Sequence, residues 1–154
     1  MLLNIRNMKS IFDESTKDEL VGRINEIDES CTALWGKMNV SQMLRHCVLW
    51  EEMILGKRIY KQTFLGKLIG KFALRGLLKD DSPLEKNMPT VPEFKIMENF
   101  NVASEKNKWL ALINEHAHVA HPDFVHPFFG KMTRKQIGYL AYKHTDHHLR
   151  QFNR

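Results

Sequence analysis

Cysteine is scarce in this chain: Cys31 and Cys47 are the only two in 154 residues, too few for a disulfide framework. The opening MLLNIRNMKS lacks the long apolar run of a secretory signal. Both features predict a protein of the reducing cytoplasm. No stretch approaches the roughly 18 consecutive apolar residues of a membrane span, which excludes an integral membrane protein. Alternating β-branched runs are rare, and neither an internal repeat nor a low-complexity tract is found. Acidic residues are missing altogether between Lys57 and Lys79, where Lys57, Arg58, Lys61, Lys67, Lys71, Arg75 and Lys79 account for the whole net charge of +5.

What is present is helical patterning. With 43% hydrophobic residues the chain can bury one ordinary core, and residues 1–154 are expected to form a single domain. A first helix is predicted from Ser15 or Thr16, either of which can cap it, with Leu20, Ile24 and Ile27 inward. A second follows Asn39 or Ser41, carries Met43, Cys47, Trp50 and Ile54 on one stripe, and stops at Gly56. The segment TFLGKLIGKFALRGLLKD is amphipathic, but its three glycines each weaken a helix by up to about 1 kcal/mol, so it needs a partner. A proline-bearing crossover, DDSPLEKNMPTVPEF, leads to a helix from about Ala103 to Val119 that Pro122 closes. The last helix opens at Thr133, where Gln136 completes a capping box, and runs to about Gln151. The expected fold is all-α: a four-helix bundle with an additional helix in the crossover between the second and third bundle helices.

The last helix ends in YKHTDHHLRQ. Ile137, Ala141, His144 and His148 share one stripe of it, and two imidazoles a helical turn apart can converge on one cation. His147, three residues after His144, can also share its face, so spacing leaves both pairs open. A catalytic centre of this kind takes a third protein ligand. His46, in the middle of the apolar stripe of the second helix, is the candidate, since a buried imidazole needs a partner.

These residues carry a resemblance. WGKMNVSQMLRHCVLW followed by FFGKMTRKQIGYLAYKHTDHHLRQF is similar to the DinB-like superfamily, in particular a small branch of uncharacterised domains. Its members are four-helix bundles that include bacillithiol transferases and mycothiol-dependent enzymes. The resemblance implies a divalent metal, zinc, nickel or manganese, held by His46, His144 and His148, with His147 and Gln151 supporting or packing beside them. Only six residues follow His148, so no further C-terminal element is expected over the site.

Other features are read more plainly. His116, His118, His121 and His126 fit no single helical face and read as a solvated or adventitious cluster, with His126 placed near the mouth of the bundle. Cys47 reads as a buried structural thiol, Trp35 and Trp50 as core, Glu51 as a residue that orients a ligand or binds water, and Glu52 as solvated surface. The basic amphipathic helix reads as packed by its apolar side onto the bundle or a second subunit, which fits a homodimer; a membrane-surface or acidic-partner contact is the other reading.

The functional expectation is a metal-dependent enzyme in which the three-histidine centre activates a thiol or water, a thiol S-transferase or hydrolase acting on a small molecule such as a low-molecular-weight thiol. The alternative is a non-catalytic bundle that binds a small ligand or a protein, with metal structural or absent. Nucleic-acid binding is not expected, because the basic residues form one helix without an aromatic-interleaved groove.

Overall fold

The computed structural model of the chain describes residues 8–118 and 124–154. Helix α1 spans Glu14–Asn25, α2 Val40–Ile54, α3 Phe64–Leu77, α4 Val102–Glu115 and α5 Arg134–Gln151. A 3-10 turn at Pro92–Phe94 lies in the crossover, and a two-stranded antiparallel hairpin pairs β1, Val125–His126, with β2, Gly130–Lys131. Sequence reasoning did not anticipate this hairpin. Gly130 enters its second strand at φ +73, a backbone state that glycine adopts without cost.

Helix ends follow from side-chain capping. Asn39 with Gln42 and Thr133 with Gln136 form reciprocal capping boxes at α2 and α5. Asn101 and Thr63 accept the third backbone N–H of α4 and α3. The first helix departs from expectation: it starts at Glu14, its cap position is Asp13, and Thr16 is buried inside it. Glu14 places a negative charge at the positive end of the helix dipole, which compensates for the missing side-chain cap. Gly56, at φ +73, stops α2 as predicted.

Helices α1, α4, α2 and α5 pack in that cyclic order as an all-α bundle. Leu20, Ile24, Met43, Leu44, Cys47, Trp109, Ile113 and Ile137 are fully enclosed between them. Asp146 fastens α5 to α1 by a 2.8 Å ion pair with Arg23 and is steadied by Arg150, one turn on, at 2.7 Å. His121 and Pro122 lie outside the described residues.

The extra helix α3 does not turn its apolar side to the bundle, the first of the two expected placements. Its residues fall in rows four apart: Gly66, Gly70 and Leu74 face inward and are buried. A Cβ on Gly66 or Gly70 would come within 2.4 or 2.1 Å of the Phe128 carbonyl oxygen, far inside van der Waals contact, so only glycine allows α3 to lie this close to the hairpin. Thr63 N–H donates to the Pro127 carbonyl at 2.8 Å and fixes the start of the helix there. The apolar rows Phe64, Leu68, Phe72 and Leu65, Ile69 point outward and are exposed. The apolar side is thus not packed onto the bundle; the glycine side is.

Candidate metal centre

His46 reaches inward from α2, and His144 and His148 from α5, the helix it packs against. One ligand nitrogen from each lies within 4.8 Å of the others, so this trio could hold a metal ion. His46 Nε2 and His144 Nε2 are 3.1 Å apart. Two imidazoles bound to one ion at about 2.0–2.1 Å each place their nitrogens about 3.0–3.4 Å apart, so this pair is already at ligand spacing. His147 does not join them: its ring stands edge-on to Trp35 at 5.7 Å.

Hydrogen bonds decide which nitrogen each ring presents. His46 Nδ1–H donates to the Phe94 carbonyl at 2.9 Å, since a carbonyl can only accept, and this leaves Nε2 with its lone pair. His148 Nδ1–H donates to Gln151 Oε1 at 2.9 Å. The amide of Gln151 is itself oriented, because its Nε2 donates to the Trp35 carbonyl at 2.9 Å. Such outer partners hold a ligand ring in one tautomer and raise its basicity. His144 is held differently, by the indole of Trp50 stacked on it at 4.1 Å with 9° between planes. Its Nδ1 is buried and has no partner among the described residues.

Burial favours the uncharged rings. It holds His46 below the ordinary histidine pKa, and His144 and His148 well below it, with the nearness of His46 adding to the effect on the latter two. A neutral imidazole keeps the lone pair that a cation needs.

Several expectations for nearby residues are corrected. His116 is fully buried, not solvated: its Nε2–H donates to Glu51 Oε2 at 2.5 Å, and Thr145 Oγ1 lies 3.5 Å from the other carboxylate oxygen. Glu51 therefore serves a buried pair linking α2, the end of α4 and α5, rather than a ligand. Glu52 is partly exposed and pairs with Arg58. Trp35 is only half-buried and stands at the edge of the site, whereas Trp50 is core. Cys47 is fully buried and its thiol is pushed well up by burial, with Glu51 adding to the effect, so it is a structural thiol. His118 is exposed beyond α4.

His126 is also buried, in β1, and its Nδ1 accepts the backbone N–H groups of Phe128 and Phe129 at 3.1 and 3.2 Å. It organises the hairpin turn on which the α3 glycines rest. Burial lowers its pKa from 6.5 to about 3. The unfolded chain therefore takes up this proton first, and stability present above pH 6.5 is lost as pH falls toward 3. The slope from one such group is about 1.4 kcal/mol per pH unit. His126→Asn, which keeps an acceptor for the turn, is expected to lessen the acid loss of stability by about that slope, read from urea denaturation between about pH 6 and about pH 4. An unchanged slope would remove His126 as a contributor.

Residues 7–154 match the family model described as a protein of unknown function, DUF1569. No curated protein and no solved structure matches the chain.

Proposed function

We propose, for a chain that belongs to the DUF1569 family, that His46, His144 and His148 hold one divalent cation, zinc, nickel or manganese, at the heart of a metal-dependent enzyme. The observation that carries the reading is the pair of facing Nε2 atoms 3.1 Å apart, with the outer nitrogen of His46 tied to a carbonyl. The resemblance to the DinB-like thiol transferases supports it, and residues 1–154 are read as one domain of that type. When bound, the cation supplies Lewis acidity whose double charge three neutral imidazoles leave uncompensated, which lowers the pKa of a thiol or water brought to it.

The chain's own residues make the thiol the better supported of the two. Glu51, the carboxylate a turn and more beyond His46, is engaged by His116 and Thr145 and so is not free to serve as general base to an attacking water. With that base engaged, and with the resemblance being to thiol transferases, we read the protein as a thiol S-transferase acting on a small electrophile, with hydrolysis second. Phe94 O and Gln151 hold two rings in register, and Trp50 fixes the plane of the third.

Elemental analysis of untagged protein tests the reading. Near-stoichiometric metal is expected in the wild type and loss of it in both His46→Ala and His148→Ala, with metal addition raising the melting temperature of the wild type alone. A wild type that takes up neither zinc, nickel nor manganese would sink the proposal and leave a bundle that binds without catalysis. Activity of the loaded protein toward thiol and electrophile pairs, against ester hydrolysis, then separates transferase from hydrolase.

A further inference from the structure

The outward side of α3 has no counterpart among the described residues. Phe64 is 78% exposed, Leu68 65% and Phe72 82%, and Ile59 just before the helix is 92% exposed. Leu65 and Ile69 form the adjoining row, also exposed. Together they make an apolar ridge along a helix of 14 residues, about 21 Å long at 1.5 Å per residue. Apolar side chains this large and contiguous mark a contact surface.

The charges beside the ridge say what it contacts. Lys67, Lys71 and Arg75 form the row between the apolar ridge and the buried glycine row, and all three are exposed. Lys71 donates to the Lys131 carbonyl, which brings the basic hairpin alongside. Residues 124–135, which build that hairpin and the start of α5, contain Lys131, Arg134 and Lys135 and no acidic residue. On α3 and the segment leading into it, acidic residues resume only at Asp80.

A second copy docked antiparallel on this ridge would set the two basic rows against each other, and an apolar groove on a neutral partner would leave them uncompensated. We infer that α3 is a docking helix for an anionic lipid surface. Its glycine face anchors it to the protein, its apolar ridge enters the headgroup region, and the basic row beside that ridge offers the charges of Lys67 and Arg75 to the lipid phosphates. This places the protein at a membrane surface without a membrane span, in keeping with the absence of any helix long and apolar enough to cross a bilayer among the described residues.

Co-sedimentation of the full chain with vesicles tests it. Vesicles of equal parts phosphatidylcholine and phosphatidylglycerol are expected to pellet the protein, those of phosphatidylcholine alone to leave it in solution, and added salt to release it. Lys67→Gln with Arg75→Gln is expected to lower the partition about fivefold for each basic residue lost. Phe72→Gln is expected to abolish pelleting, and since these side chains are exposed both variants should keep wild-type helicity and melting temperature. Equal binding to the two vesicle types, or none to either, overturns the inference. So does a dimer in light scattering that Phe72→Gln splits while vesicles go unbound.

Discussion

Replacing Glu51 by leucine is expected to destabilise the fold by about 3–5 kcal/mol, the usual result of removing one member of a buried charged or hydrogen-bonded pair. Domains of this size are stable by about 5–15 kcal/mol, so the variant should be marginal at physiological temperature. The cause lies in the geometry: both Glu51 and His116 have no exposed side-chain surface, and the 2.5 Å bond between them joins α2 to the residue that follows α4. Truncating the carboxylate leaves a buried imidazole N–H without its acceptor, and it also removes the oxygen facing Thr145. His116→Leu should cost a similar amount. The double variant should be milder than the sum of the two, because Glu51 and His116 are then removed together and neither is left facing a missing partner. Equilibrium urea denaturation of the three variants measures this, and single variants within about 1 kcal/mol of the wild type would show that the pair is dispensable.

If the proposed centre holds its ion, Gln151→Leu should weaken metal binding by about ten- to a hundredfold while leaving His46, His144 and His148 in place. The leucine cannot accept from His148 Nδ1, so the ring is free to turn or to present its other tautomer. The Trp35 carbonyl loses its donor at the same time. Competition with a chromogenic chelator measures the affinity. A change of less than about twofold in a folded variant would mean that packing alone holds the His148 ring, contrary to the role that outer hydrogen bonds usually play.

How much of this could be read beforehand depends on the kind of information each residue carries. Local capping chemistry located α2 and α5 closely, because Asn39, Gln42, Thr133 and Gln136 act within one turn of chain. The placement of His46 and His148 on apolar stripes also survives, since a stripe that carries Met43 and Trp50, or Ile137 and Ala141, must turn toward the core. The choice between His147 and His148 was not available from spacing. It depends on Trp35, whose loop packs beside His147 and whose carbonyl orients Gln151.

The corrected reading of His116 and the α3 face that the bundle does not cover share one physical source. The spacing of His116 from the later histidines fits no helical face and so suggests solvation, yet its ring is buried against Glu51 of α2, sixty-five positions earlier. Helical periodicity shows that α3 has two unlike faces, not which of them the protein covers. The glycines were counted as a weakness, while at Gly66 and Gly70 they are the packing surface, legible only once the Phe128 backbone is known to pass there.

The bond from His46 to the Phe94 carbonyl spans 48 positions and lands in the crossover between α3 and α4. On the proposed metal site, occupancy at the histidines is therefore coupled to order in that crossover. By reciprocity, whatever grips or displaces Pro92–Phe94 changes the affinity for the ion by the same factor by which the ion resists the displacement. The segment joining the two halves of the bundle is thereby a reporter: amide exchange at Phe94 and Lys95, whose N–H groups bond within the turn, should slow when the centre fills.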